Sequence, residues 1–268
     1  MTWSNLVQVV SQLRSPEGCP WDRKQTHESL KRYLLEETYE LFEAIDLNHA
    51  NSIKDELGDV LLQVLLHAEI AREHGTFSID DVITNLVEKL VRRHPHVFGE
   101  PSCKNATKID TPEQVVTTWD AIKKTEQSSA QRISALDGVP HVFPALMRAE
   151  KIQKKAAKVG FDWEETTEVA EKVHEELAEL QQAMETGIQD ELEDELGDLL
   201  FATVNLSRFI NVDPEFALQK ATAKFTERFS LVEAYAKEEG ACLKDLSLNQ
   251  LNLLWDRAKD HLRKNPQV

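Results

Sequence analysis

Two neighbouring segments of the sequence carry acidic residues inside apolar runs. "YLLEETYELFEAI", residues 33–45, and "IKDELGDVLLQVLLHAEI", residues 53–70, both repeat apolar side chains three and four positions apart. This spacing predicts two amphipathic helices. The same spacing recurs through most of the chain, and the sequence contains only 9 glycines and 9 prolines. The sequence therefore predicts an all-α protein.

The two acid-bearing segments have counterparts in the second half of the chain. "KVHEELAELQQAM" and "LEDELGDLLFAT" repeat their pattern with a shift of 139 residues. The four superimposed acid pairs are Glu37 with Glu176, Glu40 with Glu179, Glu56 with Glu195, and Asp59 with Asp198. A repeat of this length indicates duplication of a whole structural unit.

Other features recur in the same order with slightly different shifts. "GCPW" matches "GFDW", "WDAIK" matches "WDRAK", and the pair Lys89 and Arg93 matches Lys224 and Arg228. We therefore expect two tandem copies of one helical-bundle domain, each with four or so helices. The expected domains are residues 1–127 and 145–268, joined by a linker at 128–144 that contains Ser, Gly and Pro.

The spacing of the acids predicts a metal site in each copy. Residues three apart on a helix share a face, and the residues between the two runs are enough to turn an antiparallel hairpin. Two acid pairs would then face each other and repel, unless a hard cation binds between them. Mg²⁺ is the expected ion because it prefers oxygen ligands and phosphates, and Mn²⁺ is possible. A single Glu-x-x-Glu is most often solvated, but the recurrence of the quartet favours ligation.

Basic and aromatic residues are candidates for contacts with phosphate and base. Lys89 and Arg93 share one helical face, and so do Lys224 and Arg228, so that each pair could hold phosphate oxygens. Surface solvation is the alternative for both pairs. Three further candidates are Lys172, one turn before Glu176, Trp255, which could stack on a base or simply pack, and Lys123, to which spacing assigns no role.

Composition narrows the possible partners and location. The formal net charge is −16, which disfavours a nucleic-acid-binding surface, whereas a metal-bridged phosphate ligand remains compatible. The apolar run near residue 60 is too short to span a bilayer and contains polar residues, so we expect no membrane association. Three cysteines without Cys-x-x-Cys spacing fit reduced thiols and a cytoplasmic location.

The combination of these motifs resembles the all-α nucleoside triphosphate pyrophosphohydrolases, in the tandem-domain form of the MazG family. The resemblance covers nearly the whole chain. It implies Mg²⁺-dependent hydrolysis of a broad range of nucleoside triphosphates to the monophosphate and pyrophosphate. It also implies a homodimer and a housekeeping or stress-related role in controlling nucleotide pools.

The resemblance assigns roles mainly in the second copy, which is usually the main catalytic copy in this family. The implied metal ligands are Glu176, Glu179, Glu195 and Asp198, and the implied nucleotide contacts are Lys172, Lys224, Arg228 and Trp255. The first copy keeps its acids but has Tyr33 at the position of Lys172, so we expect a weaker site there. Glu191 lies where the family pattern can carry a lysine, which puts affinity for phosphate in doubt.

We expect Glu175, beside the ligand Glu176, to position or deprotonate the attacking water. Three alternatives stay open: a pyrimidine-selective dUTP or dCTP pyrophosphatase, a nucleotide-sensing module without turnover, and a purely structural scaffold. The apolar runs that follow Asp59 and Asp198 are broader than one small bundle needs, and this breadth predicts contacts with another copy.

Overall fold

The computed structural model describes residues 2–99, 109–126 and 134–264, and these residues contain α-helices, one 3₁₀ turn and no strand. The all-α prediction is confirmed. The first helices are α1 Trp3–Arg14, α2 Pro20–Lys24, α3 His27–Asp46, α4 Ala50–Glu73, α5 Ile79–Arg93, α6 Pro95–Phe98 and α7 Pro112–Glu126. They are followed by α8 Ala145–Ala157, α9 Thr166–Thr186, α10 Gln189–Phe209, α11 Pro214–Glu238, the 3₁₀ turn Leu243–Asp245 and α12 Leu248–Lys264.

The chain separates into two compact units, Met1–Ala130 and Gln131–Val268. This division falls inside the linker predicted at 128–144. Residues after the division contact helix α8, because Lys155 Nζ donates to the carbonyl oxygen of Asp137 at 2.6 Å. The bounds 1–127 and 145–268 stay a prediction.

In the first unit, α3 and α4 form the hairpin that carries the acids. Helix α1 packs on α4, and the core formed by Val10, Leu30, Leu65, Leu66 and Ile70 lies at one end of the hairpin. Helix α5 contacts α4, and α7 contacts α5. The apolar stripe of α4 is therefore buried at its C-terminal end, which leaves the acidic N-terminal end more open.

In the second unit, α9 and α10 form the equivalent hairpin, and α8 packs against both α10 and α11. A separate core joins α11 to α12, with Val232, Tyr235, Ala236, Leu254 and Ala258 as its buried members. Among the described residues, each unit has five helices of twelve residues or more, against the expected four or so. The first helices of the two units, α1 and α8, pack on α4 and on α10, respectively.

Local sequence fixes where the acid-bearing helices begin and end. Thr26 caps α3 and exchanges hydrogen bonds with Ser29, so that two otherwise unpaired backbone donors are satisfied. Helix α9 ends at Gly187, whose φ of 67° is the left-handed conformation that glycine adopts without a steric penalty. These ends set the register in which the two helices of each hairpin meet. No helix in the described part of the chain is long and apolar enough to cross a membrane.

Candidate active site

In the first unit, the hairpin brings together three of the four predicted acids. Glu37 on α3 and Glu56 and Asp59 on α4 each offer a carboxylate oxygen, and these oxygens lie within 4.8 Å of one another. Burial raises the pKa of Glu37, and the negative charges of Asp59, Glu40 and Glu56 raise it further. Burial and the charges of Glu40 and Asp59 likewise raise the pKa of Glu56. The four acids of this unit therefore form one electrostatically coupled cluster.

The second unit forms a similar cluster from Glu176 and Glu179 on α9 and Glu195 on α10, with the same 4.8 Å limit between oxygens. Burial raises the pKa of Glu179, and the charges of Glu176 and Glu195 add to this effect. Glu176 is only 5% exposed, so its charge requires a partner.

The donor set of both clusters fits a hard divalent cation. All the grouped ligands are carboxylates, with no histidine or cysteine among them. Mg²⁺–oxygen bonds of about 2.1 Å place opposite ligands of an octahedral site about 4.2 Å apart, which is compatible with oxygens that all lie within 4.8 Å of one another. Each hairpin can therefore hold a divalent metal ion after small side-chain adjustments.

In each unit one predicted acid lies outside the group of three: Glu40 in the first unit and Asp198 in the second. Asp198 lies with Glu176 on the wall of a cavity, whereas Glu40 is exposed and acts on its cluster through its charge. Of the eight predicted metal ligands, only Glu176 is buried. The half-buried acids are Glu37, Glu56, Glu179 and Glu195, and the exposed ones are Glu40, Asp59 and Asp198. The reason is that the acidic ends of the hairpins are not covered by the cores of their own units.

Lys172 occupies the cluster of the second unit. Its Nζ lies 2.7 Å from Glu176 Oε1 and 2.8 Å from Glu175 Oε1. Hydrogen bonds to these two carboxylates raise the pKa of Lys172. Its counterpart Tyr33 instead packs edge-on against Trp21, with ring centres 5.3 Å apart. Lys172 thus lies beside the acids of the second unit, as its position one turn before Glu176 predicts. The first unit has the aromatic residue Tyr33 at the aligned position.

A cavity of ≈ 690 Å³ lies beside the second cluster. Its walls include the aromatic residues Phe161, Trp163 and Phe201, together with Lys172, Glu176 and Asp198. This volume lies within the range of small-molecule sites. No sequence pattern pointed to this cavity, although all four residues of "GFDW", 160–163, line it.

Polar side chains of fixed orientation also line this cavity. Gln153, which is 6% exposed, donates from Nε2 to the carbonyl oxygen of Phe201 at 2.8 Å, so that its Oε1 is left as a buried acceptor with no partner among the described residues. Asn205 Oδ1 accepts from Arg208, and Arg208 in turn forms a two-point ion pair with Asp162. Hydrogen bonds from Arg208 lower the pKa of Asp162. Hydrogen-bonded polar side chains therefore border the cavity beside its apolar walls.

The predicted phosphate-binding pairs lie on α5 and α11, and no residue of either pair lines the cavity. The guanidinium carbon of Arg228 lies 5.8 Å from the ring centre of Trp255, and Lys224 is exposed. In the first unit, Arg93 is ion-paired with Glu126, and Lys89 is half-buried. The side chain of Lys123 lies outside the described residues. The roles of all these residues in nucleotide binding stay predictions.

Two other sequence features have clear outcomes. Glu191 accepts a hydrogen bond of 2.8 Å from Thr186 Oγ1, which ties it to the end of α9. Apart from the backbone of its own helix, a Cβ at Gly58 or Gly197 would meet no atom of the described chain within 4 Å, so both glycines leave space beside Asp59 and Asp198.

The described residues thus form an all-α protein with two helical hairpins. Each hairpin gathers carboxylates within reach of one divalent cation. The chain matches the MazG nucleotide pyrophosphohydrolase domain twice, at residues 25–98 and 163–232. Both matches contain the complete set of predicted acids.

Curated relatives match over nearly the full length. The nucleoside triphosphate pyrophosphohydrolase/pyrophosphatase MazG of Thermotoga maritima is 51% identical over 257 residues, covering 96% of this chain and 95% of that protein. The nucleoside triphosphate pyrophosphohydrolase of Escherichia coli K12 is 42% identical, covering 95% of each chain. The uncharacterized protein YabN of Bacillus subtilis is 48% identical, covering 98% of this chain and 53% of that protein. The chain belongs to the MazG family.

Proposed function

We propose that the protein hydrolyses nucleoside triphosphates to the nucleoside monophosphate and pyrophosphate, chiefly at the second unit. The observation that carries this proposal is the aromatic-walled cavity that adjoins the acid cluster through Glu176 and Asp198. A nucleoside in the cavity would extend its phosphates towards the cluster. The Thermotoga maritima and Escherichia coli relatives are named nucleoside triphosphate pyrophosphohydrolases, which supports the same reaction.

Glu176, Glu179, Glu195 and Asp198 would hold a divalent metal ion, Mg²⁺ or alternatively Mn²⁺. A bound ion supplies charge neutralisation for the triphosphate and increases the electrophilicity of the α-phosphorus. The carboxylate oxygens that are grouped within 4.8 Å provide the ligands. The equivalent acids of the first unit, Glu37, Glu40, Glu56 and Asp59, would form a second and weaker site.

Lys172 and Glu175 carry the proton and charge changes of the reaction. Occupation of the cluster by a cation would release Lys172 from Glu176, and its ammonium group would then reach a phosphate oxygen. Glu175, freed from the same lysine, would accept a proton from the attacking water. Lys224 and Arg228 would stabilise the departing pyrophosphate.

The cavity would hold the nucleoside. Phe161, Trp163 and Phe201 offer flat apolar surfaces for a base. Every common base can stack on such a surface, so this arrangement supports a broad nucleotide range. A broad range suits a housekeeping or stress-related role in controlling nucleotide pools in the cytoplasm.

A homodimer is part of this proposal. Leu196, Leu200 and Phe201 on α10 are each about half exposed although they lie beside the acids. Leu57 and Val64 on α4 are exposed in the same way. A second copy would bury these apolar side chains. Sedimentation velocity at micromolar concentration should show a dimer, and a monomer would contradict this part of the proposal.

The reaction can be tested by product analysis in ¹⁸O-labelled water with each common nucleoside triphosphate. Attack at the α-phosphorus places the label in the monophosphate, and ³¹P NMR detects both this label and the pyrophosphate. Glu179→Gln should reduce turnover at least 100-fold because it removes a ligand charge. Glu171→Gln, an exposed position on the same helix, is the matched control and should retain turnover. Label in inorganic phosphate, or binding without turnover, would overturn the proposed reaction.

A further inference from the structure

The two units differ at the helix that faces their predicted phosphate-binding pair. The repeated motif aligns Trp119 of α7 with Trp255 of α12. Seven residues after each tryptophan, the first unit has Glu126 and the second has Leu262. The same comparison along α5 and α11 aligns Arg92 with Glu227. The first unit thus has an arginine where the second has Glu227, and a carboxylate where the second has Leu262.

Glu126 binds both arginines of α5 at once. Arg93 Nη2 donates to Oε2 at 2.6 Å, and Arg92 Nε donates to Oε1 at 2.6 Å. Arg93 Nε donates to Oε2 as well, at 3.2 Å. Both carboxylate oxygens are engaged in the forked geometry that guanidinium groups also use for phosphate. Glu126 therefore lies where a phosphate group would bind.

This contact is partly shielded from solvent. The side chains of Glu126 and Arg93 are 19% and 25% exposed. Hydrogen bonds from Arg93 and Arg92 lower the pKa of Glu126 to about 2, so that the carboxylate stays charged throughout the neutral range. A charged, internally tethered carboxylate competes with a dissolved anion at a high effective concentration.

The equivalent arginine of the second unit has no such carboxylate. Leu262 stands at the aligned position, and Arg228 lies over the ring of Trp255. The Nε of Arg228 is buried and has no hydrogen-bond partner among the described residues. An unpaired buried donor is energetically unfavourable.

We propose that Glu126 is an internal substitute for a substrate phosphate, which occupies the anion site of Arg92 and Arg93 and restricts polyphosphate binding at the first unit. The inference rests on the proposed function for its ligand class, a nucleoside polyphosphate. It also explains how the first unit can retain all four acids and still bind polyphosphate weakly. Two features would then weaken polyphosphate binding at the first unit relative to the second. Glu126 competes for the arginine site, and Tyr33 stands where the second unit has Lys172.

The test measures binding of inorganic pyrophosphate to the full chain by calorimetry, so its result does not depend on turnover. All variants carry Arg228→Ala to silence the second-unit anion site. Glu126→Gln should increase the pyrophosphate affinity at least tenfold. Glu88→Gln removes the same charge from an exposed position on α5 and should leave the affinity unchanged. Equal affinity in both variants would mean that Glu126 only ties α7 to α5, which overturns the inference.

A reciprocal variant keeps the test decisive if Glu126→Gln fails to fold. Leu262→Glu, with Arg228 intact, places a carboxylate at the aligned position of the second unit. Its pyrophosphate affinity should fall at least tenfold, whereas Leu262→Gln should retain most of the affinity. Unchanged affinity in Leu262→Glu would overturn the inference. Failure of the proposed function would appear separately, as pyrophosphate binding without nucleotide hydrolysis.

Discussion

The first and second units share a carboxylate cluster and differ in the charges around it. In the first unit, the described residues include no ion pair with Glu37, Glu56 or Asp59, and the pKa values of both Glu37 and Glu56 are raised. In the second unit, Lys172 lies 2.7 Å from Glu176. The basic residues show the opposite arrangement. Arg93 is neutralised by Glu126, whereas Arg228 lies over the ring of Trp255 and forms no ion pair with any described residue. Conserving the four acids within the chain is therefore not enough to make two equivalent sites.

The largest expected effect is stabilisation of each unit by Mg²⁺. At 100 times its Kd, the ion should raise the free energy of unfolding of the unit that binds it by about 2.7 kcal/mol. Glu56→Gln should remove this stabilisation from the first unit only, and Glu195→Gln from the second only. Calorimetric melting with Mg²⁺, against choline chloride at equal ionic strength, measures both. Equal stabilisation by the two salts would show that the acids are merely solvated.

The next effect tests the lysine that distinguishes the clusters. Lys172→Tyr gives the second unit the residue of the first and should lower kcat/KM about 30-fold, because about 2 kcal/mol of charge-assisted hydrogen bonding is lost. Lys172→Arg keeps the charge and should recover part of the loss. The reciprocal Tyr33→Lys should increase nucleotide binding by the first unit. If Lys172→Tyr retains full kcat/KM, this lysine does not cause the difference between the units.

A smaller effect concerns the cavity beside the acid cluster of the second unit. Asp162→Asn removes one charge of the ion pair with Arg208 and should destabilise the second unit by about 1–2 kcal/mol. The pKa of Asp162 is lowered in the fold, so this contribution is present above the unfolded pKa and is lost as the pH falls through the folded value. Urea unfolding at neutral pH measures it. An unchanged midpoint would show that the pair does not support the cavity.

The smallest effect is the pH dependence of the Glu126 contact. The pKa of Glu126 is about 2 in the fold, against 4.5 for the isolated group. Its contribution to stability is therefore fully present above about pH 5 and decreases as the pH falls from 4.5 towards 2. The difference in unfolding midpoint between the wild type and Glu126→Gln should shrink between about pH 6 and pH 3.5. A constant difference over this interval would contradict the assigned ion pair.

Local sequence patterns could predict that the acids of each hairpin lie close together. They could not predict contacts between helices that are distant in the sequence. The Glu-x-x-Glu and Glu-x-x-Asp spacing places ligands on one face of a helix, and a short turn brings the two faces together. The contact between Lys172 and Glu176 follows from the same periodicity, since these residues lie four apart. These features depend only on helix geometry.

Contacts between distant helices left no such pattern. Glu126 is 33 residues from Arg93, and their contact depends on how α7 packs against α5. The hydrogen bond between Gln153 and the Phe201 carbonyl likewise depends on the crossing of α8 and α10. The segment "GFDW" is recognisable as a repeat of "GCPW", but no spacing links its Asp162 to the ion-pair partner Arg208, which lies 46 residues away. The helix count was low because α1 and α8 carry no repeated acidic motif.

The most direct test of the acid-cluster account is pyrophosphate release by Glu195→Ala and Glu56→Ala, measured separately with Mg²⁺ and a saturating nucleoside triphosphate. The account predicts that Glu195→Ala lowers the rate at least 100-fold and that Glu56→Ala lowers it less than threefold. Retention of the full wild-type rate by Glu195→Ala, with circular dichroism confirming its fold, would contradict the account.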